Sequence, residues 1–106
     1  MAFQLGASLL DACVLSVLEE EDAYGYIITQ KVQLVLEVSE TALYPVLRRL
    51  QKEGCLETYE KSFQGRNRRY YTITPAGKEV LYNNVKMWDD YKTKIDTILH
   101  RGKADE

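Results

Sequence analysis

Residues 39–56, SETALYPVLRRLQKEGCL, limit the possible folds of this chain more than any other stretch. The Ser39 hydroxyl can accept one of the amide protons left unpaired at a helix start, so a helix is predicted from Glu40. Leu43, Leu47 and Leu50 then recur at helical spacing with Val46 beside them, and Gly54 marks the stop. One face of the helix is therefore apolar. At about 100° per residue, the opposite face carries Thr41, Pro45, Arg48 and Lys52, flanked by Tyr44 and Arg49. A short helix buried on one side and offering arginine, tyrosine and threonine on the other has the chemistry to enter a DNA major groove. An ordinary amphipathic helix with a solvated basic face fits the same pattern, so the neighbouring segments decide.

A chain of 106 residues makes one domain with a modest core that a second copy would help complete. No apolar run is long enough to span a bilayer, and no basic segment precedes a cleavable apolar run at the start. A cytoplasmic protein without a membrane partner is expected. Cys13 and Cys55 lie far apart in apolar segments and read as reduced core thiols. A thiol switch is the minor alternative, because neither cysteine has an adjacent base to lower its pKa. His100 is the single histidine, and no Walker loop, dinucleotide turn or nucleophile elbow is present. Neither a metal, a cofactor nor an enzymatic activity is expected.

The net charge of −2 conceals a strong asymmetry. Residues 48–69 hold seven bases against three acids, a balance of +4, which leaves −6 on the remainder. Such a split attracts a polyanion to one face and repels it elsewhere.

In chain order, residues 5–18 form a helix candidate with Leu10, Cys13, Val14, Val17 and Leu18 at helical spacing. Leu9, Ala12 and Leu15 widen its apolar surface, and in so small a chain the second buried side belongs to another subunit. Residues 23–36 read as a second helix, capped by Asp22, with Ile27, Ile28, Val32 and Val35 or Leu36 facing inward. Gly25 near its start implies close backbone approach, and Tyr26 is assigned to the core. Glu37 and Val38 turn the chain into the Ser39 helix, completing a helix-turn-helix. After Gly54 the pattern becomes extended: residues 55–61 and 68–74 read as a β-hairpin around a polar loop at 62–67 containing Gly65. Arg66, Arg68 and Arg69 sit at its tip and return strand, where a guanidinium can meet a phosphate or a narrow minor groove. A solubilising turn would have a similar composition. Thr74-Pro75 starts a last helix running to about His100, with Leu81, Val85, Trp88, Ile95 and Leu99 on one seam that Lys92 interrupts. Its length implies an arm for dimerisation.

The fold class read from this order is mainly α with a small β-hairpin: a winged helix-turn-helix over residues 1–74, followed by a C-terminal dimerisation helix and tail over 75–106. Tyr24-Gly25-Tyr26, Thr41-Ala42-Leu43-Tyr44-Pro45, Leu47-Arg48-Arg49-Leu50, Glu53-Gly54, Gly65-Arg66, Arg69-Tyr70-Tyr71 and Thr74-Pro75-Ala76-Gly77 together resemble the PadR family of bacterial transcriptional regulators. Asn67 stands where that family often has proline. The resemblance implies a homodimer that binds a pseudopalindromic double-stranded DNA operator, usually as a repressor.

Thr41, Tyr44 and Arg48 are the candidates for groove contacts, Arg66 and Arg68 for the wing, and Tyr24 and Ser39 for the DNA backbone. A second site is expected midway along the last helix, where a two-fold axis can bring two copies of Trp88 together as an apolar slot. Some drug-sensing regulators of that family resemble this arrangement, which implies a small aromatic or drug-like effector. Leu81, Asn84 and Val85 would share the wall with Trp88, faced by Ala12 and Ser16 of the first helix. Simple packing of Trp88 in the interface is an equal alternative. At the level of function class, a winged-helix module that presents its basic hairpin to an acidic protein partner remains open beside DNA binding.

Overall fold

The computed structural model describes residues 5–101. Its elements follow in the order α1 (Leu5–Glu20), β1 (Ala23–Tyr24), α2 (Gly25–Gln33), α3 (Glu40–Lys52), β2 (Leu56–Phe63), β3 (Arg66–Ile73) and α4 (Pro75–Leu99). This is a winged helix-turn-helix, mainly helical, with a three-stranded antiparallel sheet in the order β1-β3-β2 and a long last helix.

The Ser39 signal works as its chemistry requires: its Oγ accepts the Ala42 N–H at 3.2 Å, and Glu40 opens α3. Leu43, Val46, Leu47 and Leu50 are buried against Val14, Leu15 and Leu18 of α1, Ile28 and Val32 of α2, and Leu56 and Tyr71 of the sheet. Gly54 stops the helix at φ 81°, with its own N–H donating to the Gln51 carbonyl and the Cys55 N–H to the Leu50 carbonyl at 2.8 Å. This paired closure by a left-handed glycine satisfies two carbonyls at the helix end and releases the chain directly into β2.

The second helix differs from the sequence expectation at both ends. Ala23 and Tyr24 pair with Tyr71 and Tyr70 as β1, so α2 begins two residues later, with Tyr24 at its N-cap and no side-chain cap bond. Asp22 is not the cap; its carboxylate accepts the Tyr59 hydroxyl at 2.7 Å. The ring of Tyr24 stands edge-on to Tyr70 at 5.4 Å, a cross-strand contact that takes the place of the two helical residues expected here. At the other end Leu34 and Val35 are 85% and 83% exposed, while Leu36 packs on the core. Tyr26 is also not core: it is 56% exposed and accepts a hydrogen bond from Gln30. Nor is Gly25 crowded, since a Cβ there meets only the Leu47 side chain at 3.9 Å.

The hairpin is longer and its loop shorter than the polar run predicts. Ser62 pairs with Asn67 and Phe63 with Arg66, leaving only Gln64 and Gly65 in the turn. Both have positive φ, 53° and 79°, the two-residue geometry whose twist matches paired strands. Asn67 therefore lies inside the ladder, and the wing takes its stiffness from strand pairing.

Thr74 caps α4 by accepting the Gly77 N–H at 3.0 Å and donates its own hydroxyl to the Gly54 carbonyl at 2.6 Å. Pro75 occupies the first helical position, where its missing N–H costs nothing. Through Gly77, Leu81 and Asn84 the first part of α4 is buried with the rest of the domain, and α1 is its main packing partner. Its 25 residues extend about 37 Å, and the molecule reaches 61 Å along its long axis. Val85, Ile98 and Leu99 are exposed along this arm, with Trp88 and Ile95 half-buried. No helix among the described residues is long and apolar enough to cross a membrane.

Gly77 is the tight point of the fold: a Cβ there would lie 2.2 Å from the Cys55 carbonyl oxygen, a backbone atom that cannot swing aside. Gly77→Ala should destabilise the domain by about 2–4 kcal/mol in urea unfolding. Gly25→Ala should be neutral or stabilising by up to about 1 kcal/mol. Equal effects from the two would refute the packing assigned to Gly77.

Candidate nucleic-acid interface

The outward face of α3 is set by the inward one. With Leu43, Val46, Leu47 and Leu50 buried, Thr41, Tyr44, Pro45, Arg48 and Lys52 are left exposed. The Arg48 guanidinium lies 6.0 Å from the Tyr44 ring centroid, one helical turn away. At the start of the helix the Ser39 and Thr41 hydroxyls are 2.9 Å apart and share a hydrogen bond.

Facing this surface is β3. Tyr71 packs into the core, and the two-residue period of a strand puts Asn67 and Arg69 on the same side. They complete a groove between α3, the start of α2 and the wing, lined by Tyr26, Tyr44, Arg48, Lys52, Asn67 and Arg69 among others. Its lining holds four basic side chains, Arg48, Lys52, Arg68 and Arg69, against one carboxylate, Glu40. The Tyr71 phenol registers this environment: burial and the nearby Tyr44 push its pKa up, while Arg69 and Arg48 pull it back.

Arg66 and Arg68 share the other face of the strand with Tyr70. Arg68 is half-buried, its guanidinium 4.6 Å from the centroid of the Tyr24 ring, and its Nε is buried with no hydrogen-bond partner. Phe63 lies 6.1 Å from Tyr24, and Tyr59 stacks on Tyr70 at 5.6 Å, so this face of the wing is an aromatic cluster. Arg68 and Tyr24 reach the rim of the groove; Arg66 is exposed at the hairpin tip, away from its lining.

The structure thus brings Tyr44 and Arg48 together with Arg68 and Tyr24 around one groove, with Ser39 and Thr41 at the helix start beside it. It adds Arg69, Lys52, Asn67 and Tyr26. Arg69 and Asn67 were recoverable from strand parity once Tyr71 is taken as core. Arg49, beside Arg48 in the chain, points elsewhere: it is bound to Asp11 of α1 at 2.5 Å and to Glu53 at 3.4 Å. The hydrogen bond to Asp11 raises its pKa despite partial burial, so this cation is committed within the protein.

Of the residues assigned to an effector slot, Leu81 and Asn84 are already buried within one chain. Ser16 and Val85 are exposed, Ala12 and Trp88 half-buried, with the Tyr91 ring 6.4 Å from Trp88. Among the described residues no group of three or more His, Cys, Asp or Glu is placed to hold a metal ion.

A cationic groove between a helix-turn-helix and a wing is a nucleic-acid-binding arrangement, and the family model of the PadR-like transcriptional regulators matches residues 14–83. The chain belongs to this family. PadR-like proteins are transcription regulators rather than enzymes. A crystal structure from Streptococcus mutans is 38% identical, covers 94% of each chain and superposes with a TM-score of 0.84. A PadR family transcription regulator from Clostridium difficile is 29% identical, with a TM-score of 0.79 over 85% of this chain and 97% of its own. A transcriptional regulator of Mycobacterium tuberculosis is 35% identical over 77 residues, which is 72% of each protein.

Neither thiol of this PadR-like chain is activated. Burial pushes the pKa of Cys13 up; burial does the same to Cys55, aided by Glu53 and Asp11 and opposed by Arg49. The folded state holds these protons longer than the unfolded one. Their contribution is therefore fully present below the ordinary thiol range and is lost as pH rises beyond about 8.5. The urea midpoint should stay level from pH 6 to about 8 and then fall. Replacing both cysteines with alanine should flatten the curve up to the tyrosine range near 10. A midpoint that rises with pH would contradict the burial of both thiols.

Proposed function

We propose that this PadR-like regulator is a homodimer that binds a double-stranded DNA operator, acting as a repressor released by a small aromatic effector. The observation that carries the DNA-binding part is the groove between α3 and β3, cationic on both walls within a chain whose net charge is −2. In this reading α3 enters the major groove with Thr41, Tyr44 and Arg48 toward base edges. Arg66, at the wing tip, meets the adjacent phosphate or minor groove, and Arg68, stacked on Tyr24, stands at the junction. Tyr24 and Ser39 meet the DNA backbone, joined by Lys52 and Arg69 as phosphate contacts.

Residues 1–74 serve as the DNA-binding unit and 75–106 as the dimerisation arm. Dimerisation is supported by the apolar residues that α4 leaves exposed beyond the domain, Val85, Ile98 and Leu99, whose burial by a second copy would be favourable. The effector would enter between two copies of Trp88, with Val85, Ala12 and Ser16 beside it and Leu81 and Asn84 behind. The repressor sign rests on the resemblance to the family alone.

Binding of the purified protein to its own upstream DNA and to scrambled DNA of equal length, across a salt series, tests the reading. Preference for the upstream duplex with a steep salt slope is expected. Arg66→Ala and Arg69→Ala should each reduce the slope by about one unit. Arg48→Ala should reduce the preference between sequences. An Arg66→Ala protein with unchanged affinity and slope would remove the wing from the interface. No binding even at low salt would favour an acidic protein partner. For the effector, planar aromatic compounds should quench Trp88 fluorescence saturably; an unchanged signal would leave Trp88 as packing.

A further inference from the structure

Pro45 is the sixth residue of α3, beyond the first turn in which a proline costs a helix nothing. Because proline has no N–H, the helical bond from residue 45 to the Thr41 carbonyl cannot form, and the ring crowds that carbonyl away from the axis. Thr41 and Pro45 are both exposed and lie with Tyr44, Arg48, Arg49 and Lys52 along one shallow depression on the outer face of α3. That depression contains no carboxylate. Arg48 and Lys52 can only donate, Arg49 is held by Asp11 and Glu53, the Thr41 hydroxyl is shared with Ser39, and the Tyr44 phenol is the one other side-chain acceptor in the lining. With no N–H at Pro45, the Thr41 carbonyl lacks its usual helical donor and keeps acceptor capacity on a surface rich in donors, near the N-terminal end of α3.

We propose that the Thr41 carbonyl, deprived of its helical donor by Pro45, accepts a hydrogen bond from the exocyclic amino group of a base in the major groove. Adenine N6 and cytosine N4 are the two such donors. The inference rests on the DNA-binding reading above and gives that interface a specificity determinant made of backbone.

The Gly54-Cys55 junction permits ligation of a synthetic 1–54 segment to a recombinant 55–106 segment. Full chains can therefore be assembled with proline, N-methylalanine or alanine at position 45. N-methylalanine removes the ring but still has no N–H, whereas alanine restores the donor to Thr41. Pro45→Ala should fold at least as well, which its Tm checks.

The probes are duplexes selected by the wild-type protein from a random library, with each adenine replaced in turn by purine or each cytosine by 2-pyrimidinone. One such replacement should weaken binding about fivefold for the proline and N-methylalanine proteins. The alanine protein should bind the parent duplex about fivefold more weakly and be indifferent to that replacement, with the same salt slope. An alanine protein still penalised like the proline protein would overturn the proposal. So would an N-methylalanine protein that behaves like alanine, because the ring and not the carbonyl would then be responsible. Failure of the wild-type chain to select any duplex would overturn the DNA-binding reading and this inference together, whereas either variant result alone leaves that reading standing.

Discussion

Thr74 ties together the three parts of this protein whose relative placement matters most. Its hydroxyl reaches the Gly54 carbonyl at the end of α3 while accepting the Gly77 N–H at the start of α4, and its N–H donates to the Cys55 carbonyl beside β2. One residue, through its hydroxyl and its own N–H, thus joins α3, the base of the wing and the helix that leaves the domain. The absence of a side chain at Gly77 is part of the same device, since only a bare Cα lets α4 approach the Cys55 backbone this closely. Each bond alone is worth only about 1 kcal/mol, but together they satisfy polar groups that the surrounding core would otherwise strand.

The signals that read true in the sequence are those whose partners are near in the chain. Ser39 caps Ala42, Gly54 closes on Gln51, Thr74 caps Gly77, and Leu43, Val46, Leu47 and Leu50 share a face by helical spacing alone. What was not legible depends on partners far along the chain. Tyr24 becomes a strand residue because Tyr70 is there to pair with it, and no periodicity announces a strand of two residues. Asp22 looks like a cap until Tyr59 claims its carboxylate. Tyr26 follows the composition of a core residue, yet its place on the helix turns it to solvent.

The charge pattern shows the same division. Seven bases between residues 48 and 69 mark the basic region correctly, but the count does not sort them. Arg49 is spent on Asp11, a carboxylate buried on an apolar helix, so two adjacent arginines on α3 have different fates. Arg68 stacks on an aromatic cluster, Arg69 joins the groove and Arg66 stays at the tip, a distribution decided by strand parity rather than by charge. The fold was thus accessible from local chemistry, whereas the make-up of the groove required the sheet register.

The abrupt passage from α3 into β2 through Gly54 leaves no flexible connection between the two basic walls of the groove. With Thr74 clamping that glycine, helix and wing form a caliper of fixed opening. On the DNA-binding reading proposed above, a duplex seated in it has to supply the matching separation between the floor of one groove and the phosphates of the next. Local helical parameters of the DNA, including positions that no side chain touches, then enter the binding energy through the cost of bending the duplex to fit.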